Sequence, residues 1–387
     1  MNVYLNAETL AWQRKVRDFV QQVLVPLSEQ VEREGSIPGP ALQEMRRMGL
    51  FGTHTPREYG GLGLNMLCSC IAIEELAAAS IAFYYTCGVN VHIGSKAIEM
   101  AGTHEQKQRY LRPLATGEFI GALAMTEPQA GSDAARIGTT ATLTGDKYIL
   151  NGRKIFITNA QIADCFTVIA RSDSGSGSAG LSAFIVPRDS EGLVIGRQID
   201  MLAGNGSFHN EVIFDDCIID RQNLLGEPGQ GFRLAMMCLD HGRTHWAAYC
   251  SGLGRTLLQH AIHRISTREQ FGGPLVDKQG VQWTLAELAT IVQHAQLIAY
   301  DCAWRFDNDP KNRTLHAAMA KLANAETVFQ VANRVLQLFG GYGYSKDYPI
   351  ERMWREARVV GILDGTSEMM KQIVARETLK GLDDFFS

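Results

Sequence analysis

Tyr148-Ile149-Leu150-Asn151-Gly152-Arg153-Lys154-Ile155-Phe156-Ile157 is the stretch at which the periodicity of the chain changes, and its reading decides the fold class. Two short apolar runs flank Asn-Gly, the dipeptide favoured in two-residue hairpin turns because both residues tolerate a positive φ. A hairpin is therefore predicted here, with its turn at Asn151-Gly152. Further strand-like runs follow at 165–170, 182–186, 193–198 and 211–214. The block from about 121 to 232 reads as a β domain.

Upstream of it the spacing is helical. Asn6 can cap a segment whose apolar residues fall at Val16, Phe19, Val20, Val23 and Leu24, and 42–50, 67–79 and 93–101 continue in that style. Pro56-Arg57-Glu58-Tyr59-Gly60-Gly61-Leu62-Gly63 is too rich in glycine to be helix. Downstream, from Phe232, helical spacing returns over 234–266, 282–306 and 315–339. Long helices joined by short loops pack as an antiparallel bundle. The fold class is α+β, with helical residues 1–120, a β domain over 121–232 and a helical bundle over 233–387.

The 387 residues are enough for two or three domains, and 45% hydrophobic, 20% charged and a net charge of −4 describe a globular chain. Without a basic run, duplex nucleic acid is not expected as a partner. No apolar run is long enough for a membrane span. Residues 1–10 lack a positive head, an apolar stretch and a cleavage site, so a cytoplasmic location is expected. Eight cysteines are scattered without a CxxC pair, which fits buried reduced thiols.

Three patterns look chemical without being so. Residues 175–180 match GxGxxG, but a strand follows them instead of the helix that would meet a pyrophosphate, so a surface hairpin loop is expected. His241 and His245 have the spacing of two zinc ligands on a helix, yet no Glu follows His241 and no third ligand is evident, so no metal is expected. Neither Ser132 nor any cysteine has a recognisable His/Asp escort for nucleophilic catalysis. A fourth pattern, Ile362-Leu363-Asp364-Gly365-Thr366-Ser367-Glu368, puts a carboxylate on a glycine turn before a new helix that Thr366 or Ser367 can cap. Alone it is an ordinary turn signal.

Four other segments carry polar hydrogen-bonding residues in apolar surroundings. They are Met125-Thr126-Glu127-Pro128-Gln129-Ala130-Gly131-Ser132-Asp133, Phe156-Ile157-Thr158-Asn159, Arg268-Glu269-Gln270-Phe271-Gly272 and Gln337-Leu338-Phe339-Gly340-Gly341-Tyr342-Gly343. In this order and spacing, and with Pro56–Gly63 upstream and Val374-Ala375-Arg376-Glu377 downstream, the chain resembles the acyl-CoA dehydrogenase family over nearly its whole length.

The resemblance implies a helical N-terminal domain, a middle β domain built as a barrel or orthogonal sheets, and a C-terminal four-helix bundle. It also implies FAD as cofactor. The Thr126–Ser132 segment, with Met125, would run along the flavin, Thr126 bonding the ring and Ser132 lying near phosphate or pantetheine. Phe156 would stand against the isoalloxazine and Thr158 near its reactive edge. Arg268, Gln270, Gln337 and Gly341 would reach the FAD pyrophosphate of a neighbouring subunit, with Phe271, Gly340, Thr366 and Glu368 at further FAD positions. Arg243 and Gly365 would line the acyl-CoA cleft. Asp364 would be the base that removes the α proton while the β hydrogen leaves as hydride to flavin N5. A homotetramer reoxidised by an electron-transfer flavoprotein is implied too, the substrate thioester being carried by CoA or an acyl carrier protein. A guanidinium suits a pyrophosphate, and a base buried among apolar groups has a raised pKa suited to proton abstraction.

The chain departs from the family pattern in places. Most members have glutamate where Asp364 stands, and the aspartate reaches about 1.5 Å less. The alternative position for the family glutamate, just before the arginine, is Gly242 here. Asp240 lies roughly 200° around the helix from Gly242 and is taken as a substrate contact. Members with aspartate at this turn include enzymes of alicyclic acyl-CoA thioesters and nitroalkane oxidase. The bulk of His245 and Trp246 also argues against a long straight acyl chain. Leu202-Ala203-Gly204-Asn205-Gly206-Ser207-Phe208-His209 replaces a G-x-R-G-S/T stretch. The expected activity is a FAD-dependent acyl-CoA dehydrogenase for short, branched or alicyclic acyl groups. A nitroalkane oxidase-like enzyme and a non-catalytic flavin-binding protein are the alternatives.

Overall fold

Eight strands carry the middle of the chain in the computed structural model, which describes residues 4–172 and 177–381. They are β1 (Gly121–Ala124), β2 (Thr140–Thr144), β3 (Lys147–Thr158), β4 (Cys165–Arg171), β5 (Leu181–Pro187), β6 (Leu193–Gln198), β7 (His209–Asp220) and β8 (Leu224–Leu225). They form one mixed sheet in the order β6-β7-β3-β2-β4-β5-β8, with β1 running parallel to β4.

The hairpin predicted at Asn151-Gly152 is misplaced. The chain passes straight through these residues inside β3, and the turn to the preceding strand falls at Gly145-Asp146, with Leu143 paired to Tyr148 and Thr144 to Lys147. Asn151 and Gly152 instead mark a register shift between β3 and β7. There the Asn151 amide donates to Asp216 Oδ1 at 2.9 Å and its oxygen accepts from the Asp216 N–H at 2.9 Å. At Gly152, φ is 152°, and a Cβ would lie 2.4 Å from Thr139 Oγ1, so this glycine answers a close approach. Of the 175–180 loop, Gly175 and Ser176 lie outside the described residues, and Gly177–Gly180 is a 3₁₀ turn leading directly into β5.

β4 and β5 are buried on both faces, which explains their unbroken apolar runs. On one face Phe166, Val168, Phe184 and Val186 share a core with Tyr148, Leu150, Val212 and Phe214, so the sheet closes over its own side chains. Tyr148 meets Phe184 edge to face at 4.8 Å. On the other face Cys165, Ile169, Ala183 and Ile185 pack with Ile98, Tyr110, Leu111 and Leu114 from the helices.

By contacts the chain forms two units, each discontinuous in sequence. One contains the sheet, with residues 31–65 and 82–242. The other contains residues 4–30, 66–81 and 243–381. Its long helices are Gly231–Thr267, which enters it at Arg243, Gln279–Asn308 and Arg313–Phe339, followed by Ile350–Val359 and Ser367–Lys380. Helix Met66–Leu76 contributes Met66, Leu67, Cys70 and Ile71 to a core shared with Ala247, Ala299, Tyr300, Phe306, Ala317 and Ala320. Helix Ala7–Phe19 begins at Asn6, whose side chain accepts from Thr9 N at 2.9 Å, as its N-cap position requires.

Candidate active site

Asp364 stands on the turn between Ile350–Val359 and Ser367–Lys380, with φ +51° at Asp364 and +95° at Gly365. A side chain at position 365 would combine that φ with a Cβ only 2.8 Å from Met370 Cε, so glycine is required. Ser367 N–H bonds Gly361 O at 3.1 Å, and Thr366 Oγ1 accepts from Met369 N at 3.3 Å, which caps the last helix.

Three side chains fix this turn. Arg243 Nε donates to Asp364 O at 3.1 Å, Lys321 Nζ to Gly365 O at 2.6 Å, and Trp246 Nε1 to Asp364 Oδ2 at 3.0 Å. Arg243 and Trp246 are three apart on one helix and so share a face. Asp364 is half-buried as a residue, but its carboxylate is enclosed. Burial raises its pKa, opposed by Arg243, Lys321 and the Trp246 hydrogen bond. Lys321 is fully buried, and burial pushes its ammonium down to about 8, with Asp364 pulling the other way.

In the same unit a cavity of about 560 Å³ is lined by Arg264, Arg268, Gln337, Gly340, Gly341 and Tyr342, among others. A Cβ at Gly340 or Gly341 would meet nothing within 4 Å, so backbone borders open space. The Arg264 guanidinium stacks over Tyr342 at 4.5 Å, and its buried Nε has no hydrogen-bond partner among the described residues. Two guanidinium groups, an amide and bare glycine backbone make a donor surface for an anion, and a pyrophosphate suits it. Three of the residues expected at a pyrophosphate, Arg268, Gln337 and Gly341, meet here beside Gly340, a further expected FAD contact. Gln270 and Phe271 do not line the cavity. They follow it on a small hairpin, Glu269–Gln270 against Gly273–Pro274, with Phe271 94% exposed at its tip. Thr366 and Glu368 belong to the Asp364 turn.

In the sheet unit, β3 grips the Met125–Thr126 segment. Ile155 N donates to Thr126 O at 2.9 Å, and Lys154 Nζ donates to Met125 O, Glu127 Oε1 and Ile169 O at 3.1, 2.8 and 2.7 Å. Lys154 and Glu127 are both wholly buried as an ion pair. Glu127 also accepts from Gly138 N, Thr139 N and the Gln129 amide at 2.7, 3.0 and 2.7 Å. Burial lowers the Lys154 pKa to about 8.

Two residues on, Phe156 adopts φ +59° at a bulge and stands half exposed. A bulge re-aims side chains in this way. Thr158 Oγ1 lies 3.1 Å from Nδ1 of His209, whose burial lowers its pKa to about 4 and keeps it neutral. Ser132 is exposed.

Asp240 and Arg243 are buried on helix Gly231–Thr267. His245 packs with its Nε2 2.8 Å from Ser69 Oγ, and the described residues hold no group of three potential metal ligands. They include no helix long and apolar enough to cross a membrane. All eight cysteines are buried, and none is in a disulfide.

Five non-glycine residues among those described have positive φ, namely Phe156, Asn159, Asp216, Phe271 and Asp364. Three of them are expected site residues, and strain of this kind concentrates at functional positions. Sequence reasoning missed Lys154 and Lys321, and saw Trp246 only as bulk. The one available signal was for Lys321, a lone lysine in the apolar run Ala317-Ala318-Met319-Ala320-Lys321-Leu322-Ala323.

Three acyl-CoA dehydrogenase domain models match in order: N-terminal over residues 6–118, middle over 122–217 and C-terminal over 229–379. An acyl-CoA dehydrogenase of Bacillus subtilis is 37% identical over 383 residues, covering 98% of this chain and all of the relative. A 3-(aryl)acrylate reductase of Clostridium sporogenes is 38% identical, covering 94% of this chain and 96% of the relative. The solved butyryl-CoA dehydrogenase of Megasphaera elsdenii superposes with a TM-score of 0.94 at 33% identity, covering 98% of this chain and all of that one. The α+β architecture, the order of the three domain models and relatives matched from end to end agree, and the chain belongs to the acyl-CoA dehydrogenase family.

Proposed function

We propose that Asp364 is the base that removes the α proton from an acyl-CoA thioester with a short, branched or alicyclic acyl group. The observation that carries this reading is a carboxylate held by Trp246 on a turn that Arg243 and Lys321 pin from below. The family is FAD-dependent, and the chain is a flavoprotein oxidoreductase that dehydrogenates acyl thioesters. Bound FAD supplies the two-electron acceptor for the β hydrogen as hydride.

In the proposed step the Cα–H bond breaks, its proton passes to Asp364 Oδ1, and its electron pair forms the Cα=Cβ bond as the β hydrogen leaves. Burial supports the base role by making the carboxylate a better proton acceptor than an exposed aspartate. Gly365 backbone lies beside the thioester, Arg243 and Asp240 line the acyl cleft, and Ser132 meets the phosphate or pantetheine part of the carrier. Arg268, Gln337, Gly340 and Gly341 hold the FAD pyrophosphate, with Gln270, Phe271, Thr366 and Glu368 as further contacts. Met125, Thr126, Phe156 and Thr158 hold the ring.

Domains over 1–120, 121–232 and 233–387, a homotetramer, a cytoplasmic location and an electron-transfer flavoprotein as acceptor complete the proposal. The short reach of aspartate supports the substrate class.

Anaerobic addition of straight, branched and alicyclic acyl-CoAs to the purified holoenzyme tests this, with flavin absorbance as readout. Bleaching by a short, branched or cyclic member is expected; if no thioester bleaches the flavin, the substrate reading is wrong. Asp364→Asn should keep FAD and lose reduction.

A further inference from the structure

We propose that Trp246 is a positioning residue for the base: its indole N–H holds Asp364 Oδ2, presents Oδ1 to the substrate and favours the ionised carboxylate. This rests on the reading of Asp364 as the base. The indole nitrogen is a donor only, so it bonds a carboxylate more strongly than a neutral carboxylic acid. With Oδ2 occupied at 3.0 Å, the arriving proton is directed to Oδ1.

Trp246 is itself locked. It is 2% exposed and meets Tyr249 edge to face at 5.4 Å, and the Tyr249 hydroxyl donates to Glu356 Oε2 at 3.3 Å. One helical face thereby grips Asp364 twice, Arg243 at the main-chain carbonyl and Trp246 at the side chain. Aspartate has one torsion fewer than glutamate, so two anchors leave its carboxylate little freedom. What the residue loses in reach it gains in fixed direction.

The other charged groups around this carboxylate are Arg243 on the helix of Trp246 and Lys321 on helix Arg313–Phe339. Glu368, on the following helix, and Cys250 act on Lys321 in turn. All of them survive Trp246→Phe, which keeps a ring in place and deletes only the donor.

Infrared titration of the FAD-loaded protein reads the effect without turnover. The protonated C=O band of Asp364 is assigned by its loss in Asp364→Asn. In Trp246→Phe the band should appear about one pH unit higher, tenfold in the protonation equilibrium, as expected for loss of a hydrogen bond to a charged group. The acid limb of flavin reduction should move with it, while flavin content and far-UV circular dichroism stay unchanged. An unmoved band in folded Trp246→Phe overturns the proposal.

A second measurement needs no Trp246 variant. The Trp246 indole N–H resonance should titrate with the Asp364 band in the wild type and stay constant in Asp364→Asn. An indole resonance blind to that titration also overturns the proposal. If Asp364→Asn still reduces its flavin, the base reading fails while the titration shift stands, so the two failures are distinct.

Discussion

Lys321→Met takes a cation and a donor from the Asp364-Gly365 turn while keeping a side chain of similar length. Lys321 is fully buried, with Nζ 2.6 Å from Gly365 O. Burial lowers its pKa from 10.5 to about 8. That fall, 10.5 − 8 = 2.5, corresponds to roughly 3 kcal/mol at about 1.36 kcal/mol per pH unit, the cost of keeping the charge inside. Against it stands one charge-assisted hydrogen bond, about 1.5–3 kcal/mol.

The two nearly cancel, so the unfolding temperature should stay within about 4 °C of the wild type. The effect on Asp364 does not cancel. Lys321 opposes the upward shift that burial imposes on the carboxyl, so removing it raises that pKa further. In the proposed base role Asp364 works only when ionised, so the rate should fall as pH drops through its pKa, and the acid limb of flavin reduction should move to higher pH.

The lysine has its own signature. Between pH 8 and 10.5 the unfolded chain holds a proton on Lys321 that the folded chain has released, so this group makes stability rise with pH there. The slope should be absent in Lys321→Met. Stopped-flow anaerobic reduction and thermal unfolding over the same pH series measure both. A loss of more than about 10 °C with an unmoved acid limb would make Lys321 a structural strut and refute the reasoning.

Lys154→Met strips Met125 O, Glu127 and Ile169 O of one donor, and breaking a buried pair costs about 3–5 kcal/mol. The lower end is expected, because Glu127 keeps Gly138 N, Thr139 and Gln129; differential scanning calorimetry should show a lowered transition, and an unchanged one rejects the role. Gly341→Val puts a side chain into the cavity at a point where a Cβ meets nothing within 4 Å, so the protein should purify with normal circular dichroism and little flavin absorbance; full FAD content would place the pyrophosphate elsewhere. Asp364→Glu moves the carboxylate about 1.5 Å outward and away from Trp246, and should cost about 10²-fold in reduction by the best wild-type substrate. A faster glutamate variant would mean that the aspartate is not matched to that substrate.

What could be read from the chain, and what could not, divides along local and non-local physics. Helix periodicity, the Asn6 cap and the apolar runs that became β4 and β5 depend on neighbours within a few residues, and they came out close to place. The Asn151-Gly152 turn did not, because the glycine answers Thr139 across the sheet instead of a change of chain direction. β2 passed unnoticed because Thr-Ala-Thr-Leu-Thr buries one residue in five, too little apolar contrast to register as a strand.

The candidate site follows the same rule. Asp364, Arg268, Gln337 and the paired glycines carry motifs written along the chain, so their positions were legible. Lys154 and Lys321 were invisible because nothing beside them in sequence explains a buried charge; the carbonyls that receive them belong to distant segments. Trp246 and Asp364 lie 118 residues apart, and only the folded turn makes an indole N–H the partner of that carboxylate. An aspartate at a glutamate's position is therefore read from its donor as well as from its reach. If the donor that meets it sets both its direction and its charge, the shorter residue is half of a two-residue device, and the tryptophan must be exchanged with it for the substitution to be a fair test of reach.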